Sequence, residues 1–211
     1  KLEKAYDELK DEIRESVQDA TWKNYHKLLA NPSEFESFTI EPDYTVNLLE
    51  KTKKKPDGTS EPGFNKAKNL SAGQSLLLTL AFVAAIREPT GYKFPLIVDS
   101  PAGKVDGPNT HNIGKCLPEF LPDAQLALLA TNKEYTDKIS PDADYPNMPN
   151  TPVCKLFEEK LKVQHFKIQK DKDPESENVG NSTIVPGKLE YVKETLGKGE
   201  EREGWMVVAD E

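Results

Sequence analysis

Cysteine is scarce in this 211-residue chain: there are two, Cys116 and Cys154, with no pair at short spacing. That argues against a disulfide framework or a cysteine-built zinc site, and it fits a reducing cytoplasm. The three histidines, His26, His111 and His165, are scattered, so the sequence shows no metal-ligand cluster. Long apolar runs are missing as well. The longest, Leu76 to Ile86, is interrupted by Thr79 and is too short to span a bilayer, so no membrane partner is expected. No leader segment is apparent. Nor is there a basic excess. The net charge is −8, so the chain as a whole is not a basic nucleic-acid binder. The run Lys51, Lys53, Lys54 and Lys55 reads first as a solvated loop and second as a local basic face.

What is present suffices for one sizeable core, or one core plus an appendage. Residues 2 to about 30 have a helical pattern: Leu2, Tyr6, Leu9, Ile13 and Val17 fall at near-heptad spacing among charges. This reads either as an amphipathic helix packed on its own domain or as the end of a coiled-coil arm, and we assign residues 1–34 to it. Asn31-Pro32-Ser33 breaks the helix. Phe38-Thr39-Ile40 and Tyr44 to Leu49 alternate as two strands around the turn Glu41-Pro42-Asp43, and Lys55 to Ser60 reads as a further turn or loop. Leu76 to Arg87 is apolar nearly all round and should be a buried helix, ended by Pro89-Thr90-Gly91. Phe94 to Val98 and Gln125 to Ala130 are short apolar strands of the kind found in a parallel sheet covered on both faces, with a helix over Asn109 to Phe120 between them. Alternating buried strands and helices indicate an α/β fold with a mostly parallel sheet. Beyond residue 135 the pattern weakens: a Pro/Asp/Asn-rich loop over 137–152, a strand within 160–170, an acidic loop over 170–181 and an edge strand at 183–185. One lobe is expected over 35–192, followed by a charged, flexible tail over 193–211.

Two sites carry chemistry. Leu70-Ser71-Ala72-Gly73-Gln74 opens the buried helix. Unpaired N–H groups and the positive dipole end at such a terminus favour an anion; Ser71 adds a hydroxyl and Gly73 permits close backbone approach. About one helix later, Pro95-Leu96-Ile97-Val98-Asp99-Ser100-Pro101 ends a buried strand in a carboxylate, a usual place to hold a metal ion. Each motif alone reads more simply as a helix cap or a turn cap. Their order and spacing together suggest nucleoside triphosphate chemistry.

The ordered block over roughly residues 66 to 135, about a third of the chain, resembles the C-terminal half of an ABC-type ATPase head of the SMC-like class. LSAGQ at 70–74 is similar to the signature motif, PLIVDSP at 95–101 to a Walker B strand, AGKVD at 102–106 to a D-loop and LALLATN at 126–132 to a switch strand and loop. The resemblance implies that Ser71, Ala72, Gly73 and Gln74 contact the γ-phosphate of a nucleotide held by the opposite protomer. It implies that Asp99 holds Mg²⁺ through its water shell, that Asp106 crosses a dimer interface, and that Ser100 and Thr131 occupy catalytic positions. The implied cofactors are ATP and Mg²⁺. The implied partners are an N-terminal Walker A-containing lobe, a second head in a homodimer and double-stranded DNA.

The chain departs from the family pattern at two of these positions. Ser100 stands where many ABC ATPases have a water-orienting glutamate, and a serine is no carboxylate base at neutral pH. Thr131 stands where a switch histidine is usual, so it can hydrogen-bond a phosphate but not carry charge. Both departures look like DndD, the SMC-like ATPase of DNA phosphorothioation systems, which implies other components of a DNA modification or restriction system as partners. The sequence contains no G-x-x-x-x-G-K-[ST] loop; Gly180 to Lys188 has the ingredients at the wrong spacing. A C-terminal lobe of a split head fits that absence. Slow or absent hydrolysis, leaving a nucleotide-gated clamp, is the alternative. A generic α/β domain with chance motifs is the third reading.

Overall fold

In the computed structural model, the described residues are 1–54, 60–61, 63, 65–91, 95–121, 125–135, 151–170, 182–195 and 201–209. The chain divides into two compact units, Lys1–Leu129 and Ala130–Glu211.

The first unit is built around the base of helix α1 (Leu2–Leu28). Along its apolar stripe exposure falls from 89% at Leu2 through 67% at Tyr6, 54% at Leu9 and 38% at Ile13 to 7% at Val17. The stripe is therefore bare over three turns and enters the core only at Val17, Thr21, Tyr25 and Leu28. There it meets the hairpin of β1 (Phe35–Ile40) and β2 (Val46–Glu50), which pair antiparallel around the anticipated turn. Arg14 Nη1 and Gln18 Oε1 clip α1 to the backbone carbonyl and N–H of Ile40. A two-residue pair, β3 (Lys53–Lys54) with β4 (Ser60–Glu61), flanks residues 55–59. The turn expected over 55–60 thus lies mainly outside the described residues, as do Lys55 and Phe94.

Helix α2 (Ala72–Thr90) packs along α1, and Leu77, Leu80, Ala81, Ala84 and Ala85 supply its buried face. It tolerates Pro89 because that residue falls in the last turn, and Gly91 closes it at φ 64°, a left-handed conformation that suits glycine. Strand β5 (Leu96–Asp99), helix α3 (Gly107–Phe120) and strand β6 (Leu126–Leu129) follow. β5 and β6 pair in parallel, with Ile97 opposite Ala127 and Asp99 opposite Leu129. The α/β expectation holds, although every other strand pair among the described residues is antiparallel.

One expectation fails here. The β5–β6 sheet is not covered on both faces: Val98 is buried, but Ile97 is 68% and Leu129 49% exposed. Ile97, Asp99, Ala127 and Leu129 share that open face. A sequence of apolar residues states that a strand can be buried on both sides, not that this chain supplies both covers.

The second unit contains the short helices α4 (Asn132–Tyr135) and α5 (Val153–Glu158) and an antiparallel sheet in the order β7 (His165–Lys170), β8 (Ser182–Thr195), β9 (Glu201–Ala209). Two readings are corrected. Residues 183–185 belong to a 14-residue central strand rather than an edge strand, and residues 201–209 pair with it rather than trailing as a flexible tail. The signal in β8 is weak because each half pairs with a different neighbour. Residues 182–187 face β7 and residues 187–195 face β9. Pro186, which has no N–H to give, sits where only β7 is paired. In β9, Trp205 is held edge-on by Tyr191 and covered by the Lys155 ammonium 3.8 Å from its ring. The loops expected over 137–150 and 171–181 lie outside the described residues.

Gly187 is the one residue of β8 paired with both neighbours. A Cβ there would lie 2.8 Å from Val207 Cγ1 and 3.0 Å from the Val208 carbonyl. Gly187→Ala is expected to destabilise the second unit by about 1–3 kcal/mol. The check is urea unfolding followed by Trp205 fluorescence in a Trp22→Phe background. An unchanged midpoint means that β7 and β9 do not close on this position.

Candidate nucleotide-interface site

The Leu70–Gln74 segment forms the N-terminus of α2 through a reciprocal capping box. Ser71 Oγ accepts from the Gln74 N–H at 3.1 Å, and Gln74 Oε1 accepts from the Ser71 N–H at 3.1 Å. The N–H groups of Ala72 and Gly73, the first two of the helix, have no hydrogen-bond partner among the described residues. That leaves donors at the positive end of the helix. Ser71 and Ala72 are exposed and Gly73 is half-buried.

What crowds Gly73 is the loop that follows β5. A Cβ on Gly73 would lie 2.8 Å from the Lys104 carbonyl oxygen and 3.2 Å from Val105 Cγ1. The structure thus brings the helix terminus against residues 104–105, immediately before Asp106. Asp106 caps α3: one carboxylate oxygen accepts from the Asn109 N–H and the other from Asn109 Nδ2, each at 2.9 Å. Asn109 Oδ1 in turn accepts from the Ala30 N–H at 2.7 Å, joining this loop to the end of α1.

Asp99 is exposed at the C-terminal end of β5. Its Oδ1 accepts from the Ser100 hydroxyl at 3.3 Å, and among the described residues Oδ2 has no hydrogen-bond partner. Ser100 has φ 50°, in the left-handed region that non-glycine residues rarely occupy. Its N–H donates to the Leu129 carbonyl at 2.7 Å and its carbonyl accepts from the Gly103 N–H at 3.2 Å, so both ends of the peptide hold it there. The strain, about 1 kcal/mol, sits directly beside the carboxylate. An open carboxylate at a strand end suits the water shell of a hard cation, and the free helix N–H groups suit a phosphate oxygen. The residues present therefore suit a phosphate oxygen of ATP and a hydrated Mg²⁺, and they include no loop that would cradle the rest of the triphosphate.

Thr131 belongs to the second unit and is described by itself. It caps the short helix α4, its N–H and hydroxyl both donating to Glu134 Oε2 at 2.8 and 2.9 Å.

Sequence reasoning missed Glu34, Lys66 and Glu50. The Gln74 amide donates to both Glu34 oxygens, at 3.1 and 3.2 Å. Lys66 Nζ lies 3.3 Å from Glu34 and 2.9 Å from Glu50, a carboxylate only 3% exposed. The Lys66 ammonium is held above the usual lysine range, chiefly by its bond to Glu50. No local pattern announces a contact across 40 residues.

Solved structures with this arrangement of elements are SMC heads. One comes from work on ATP-driven dimerisation and DNA-stimulated activation of SMC ATPases: 13% identity, 85% of this chain and 88% of that chain, TM-score 0.51. Another is an SMC head bound to the C-winged helix domain of ScpA: 12% identity, 82% of this chain but 43% of that one, TM-score 0.50. The fold matches that of SMC head domains. No protein-family model matches the chain, and no curated protein does. At identities this low the likeness establishes the fold alone.

The Gly73 contact separates two neighbouring small residues. Gly73→Ala is expected to cost about 1–3 kcal/mol, because backbone must move to admit a Cβ. Ala72→Gly, at an exposed position, is expected to cost about 1 kcal/mol or less. Thermal melting of the two variants side by side is the check; equal losses would remove the close approach of α2 to residues 104–105.

Proposed function

We propose that this chain is the C-terminal lobe of an SMC-like ATPase head that works at a composite interface between two heads. The observation that carries this reading is the junction of the α2 N-terminus with the loop from Asp99 to Asp106. It puts an anion-compatible helix end and the D-loop-like segment against each other in the order the family motifs require. Ser71, Ala72, Gly73 and Gln74 would meet the γ-phosphate bound by the opposite head. Asp99 would hold Mg²⁺ through water, and that ion would neutralise charge developing on the phosphates. Asp106 would lie along the head–head boundary.

Two exposed apolar surfaces support a lobe with missing neighbours. The open face of β5–β6 suits the Walker A-containing lobe, since parallel sheets are almost always covered on both sides. The bare Leu2–Ile13 stripe suits a second helix of a coiled-coil arm. Binding of ATP would close two heads, hydrolysis would reopen them, and the arm would pass that motion to DNA. SMC ATPases with ATP-driven dimerisation and DNA-stimulated activation give the analogy for the DNA step. The finer assignment to the DndD class, and with it a role in DNA modification, restriction or repair, rests on Ser100 and Thr131.

Those two residues also favour a second reading, a nucleotide-gated clamp with little turnover. The Ser100 hydroxyl points to Asp99 and the Thr131 hydroxyl to Glu134, so neither is set as a general base.

The test uses this lobe co-purified with the Walker A-containing half of the same protein. ATP is expected to drive dimerisation, measured by light scattering. Asp99→Ala is expected to abolish turnover. Ser71→Arg is expected to abolish dimerisation while circular dichroism shows a folded monomer. A Ser71→Arg variant that still dimerises with ATP sinks the composite interface. An ATP-bound wild-type dimer without turnover selects the clamp.

A further inference from the structure

Glu34 lies in the 3-10 turn Pro32–Glu34, between the end of α1 and the start of β1. Its surroundings come from three parts of the chain. Gln74 Nε2 donates to both of its carboxylate oxygens. The Lys66 ammonium bridges it to the buried Glu50. Its backbone carbonyl accepts from the Lys51 N–H at 2.9 Å, fixing the turn to the end of β2. The hydroxyl of Tyr25, from the base of α1, is buried without a hydrogen-bond partner and feels the Glu34 charge. A cavity of about 370 Å³ opens beside the carboxylate, lined in part by Glu34, Glu50, Lys51 and Lys66.

An ionised carboxylate accepts hydrogen bonds and cannot donate them, whereas a glutamine amide has one end of each kind. Glu34 therefore dictates which way the Gln74 amide faces. With Nε2 turned to Glu34, Oε1 is left facing the Ser71 N–H, and the capping box closes. If the amide flipped, its NH₂ group would face the Ser71 N–H and the cap would open on that side.

We infer that Glu34 is a positioning residue for the α2 terminus, fixing the Gln74 amide and through it the Ser71 cap, and so tying the base of the arm helix to the head–head interface. This rests on the proposed function of that terminus. Lys66 offsets one of the two carboxylate charges near a site meant for phosphate, and Glu50 keeps Lys66 in place.

The experiment is a double-mutant cycle on the lobe in complex with its Walker A-containing half. ATP-driven dimer affinity and melting temperature are read for Glu34→Ala, Glu34→Gln, Gln74→Ala and the Glu34→Ala/Gln74→Ala pair. Glu34→Ala is expected to weaken dimerisation roughly tenfold, the scale of one charge-assisted hydrogen bond. Glu34→Gln keeps an acceptor for Gln74 and is expected to come within about threefold of wild type. In the Gln74→Ala background, Glu34→Ala is expected to change dimerisation less than about twofold, because the two act as one unit. Equal effects of Glu34→Ala in both backgrounds would make its role general stability and overturn the inference, as would normal dimerisation of Glu34→Ala. If Glu34→Ala does not fold, Glu34→Met, of similar length and with only a weakly accepting thioether in place of the carboxylate, takes its place in the cycle. A wild-type complex that does not dimerise with ATP overturns the proposed function itself, and this inference with it.

Discussion

The contact between Gly73 and the Lys104 carbonyl is the constraint on which the geometry of the candidate site depends. It joins a helix terminus to a loop whose two ends are fixed elsewhere, at β5 by Ser100 and at α3 by Asp106. A side chain at Gly73 would open the junction. The cap at Ser71, the pin at Glu34 and the brace from Asn109 to Ala30 then act on one body rather than three. None of these bonds is individually large; a cap contributes about 1 kcal/mol. Their effect on position exceeds their effect on stability, because each removes a separate freedom from the same few backbone atoms.

Much of that site was legible in the sequence because its parts are local. Ser71 and Gln74 are three residues apart, the spacing of a capping box. Asp106-Gly107-Pro108 is a helix start in its own right. The reason for glycine at 73 was only half legible. Close backbone approach was expected from a phosphate, whereas within this chain the neighbour is its own residue 104. Glu34 was invisible because its partner is 40 residues away and nothing in either segment names the other. The strain at Ser100 was hidden for a similar reason: it depends on the Leu129 carbonyl in the adjacent strand.

The fold divides along the same line. Helices α1, α2 and α3 and the β1–β2 hairpin follow period and turn chemistry, and they were read within a few residues; the short helices α4 and α5 were not. β8 and β9 were misread because a strand that changes neighbours halfway, with Pro186 and Gly187 at the change, has no single alternation to display. Charged residues in 193–211 looked like a tail. Yet Trp205 and Val207 give β9 an inner face, and tertiary pairing decides strand formation where local propensity is neutral.

The open face of β5–β6 carries the argument furthest. A two-stranded sheet is marginal on its own, and a parallel one more so. Here half of its side chains, Ile97, Ala127 and Leu129 among them, meet no protein cover within the described residues, and Asp99 shares their face. Exposing Ile97 to water gains the chain nothing in stability, whereas its full burial would contribute about 2 kcal/mol. The same surface would be advantageous if another lobe covered it. That lobe would then arrive beside the carboxylate, and the apolar contact that completes the sheet would also place its phosphate-binding loop. If the proposed split head is right, the absent loop and the bare strands would share one physical cause: the site would be divided between two segments of chain, and the hydrophobic face would reunite them.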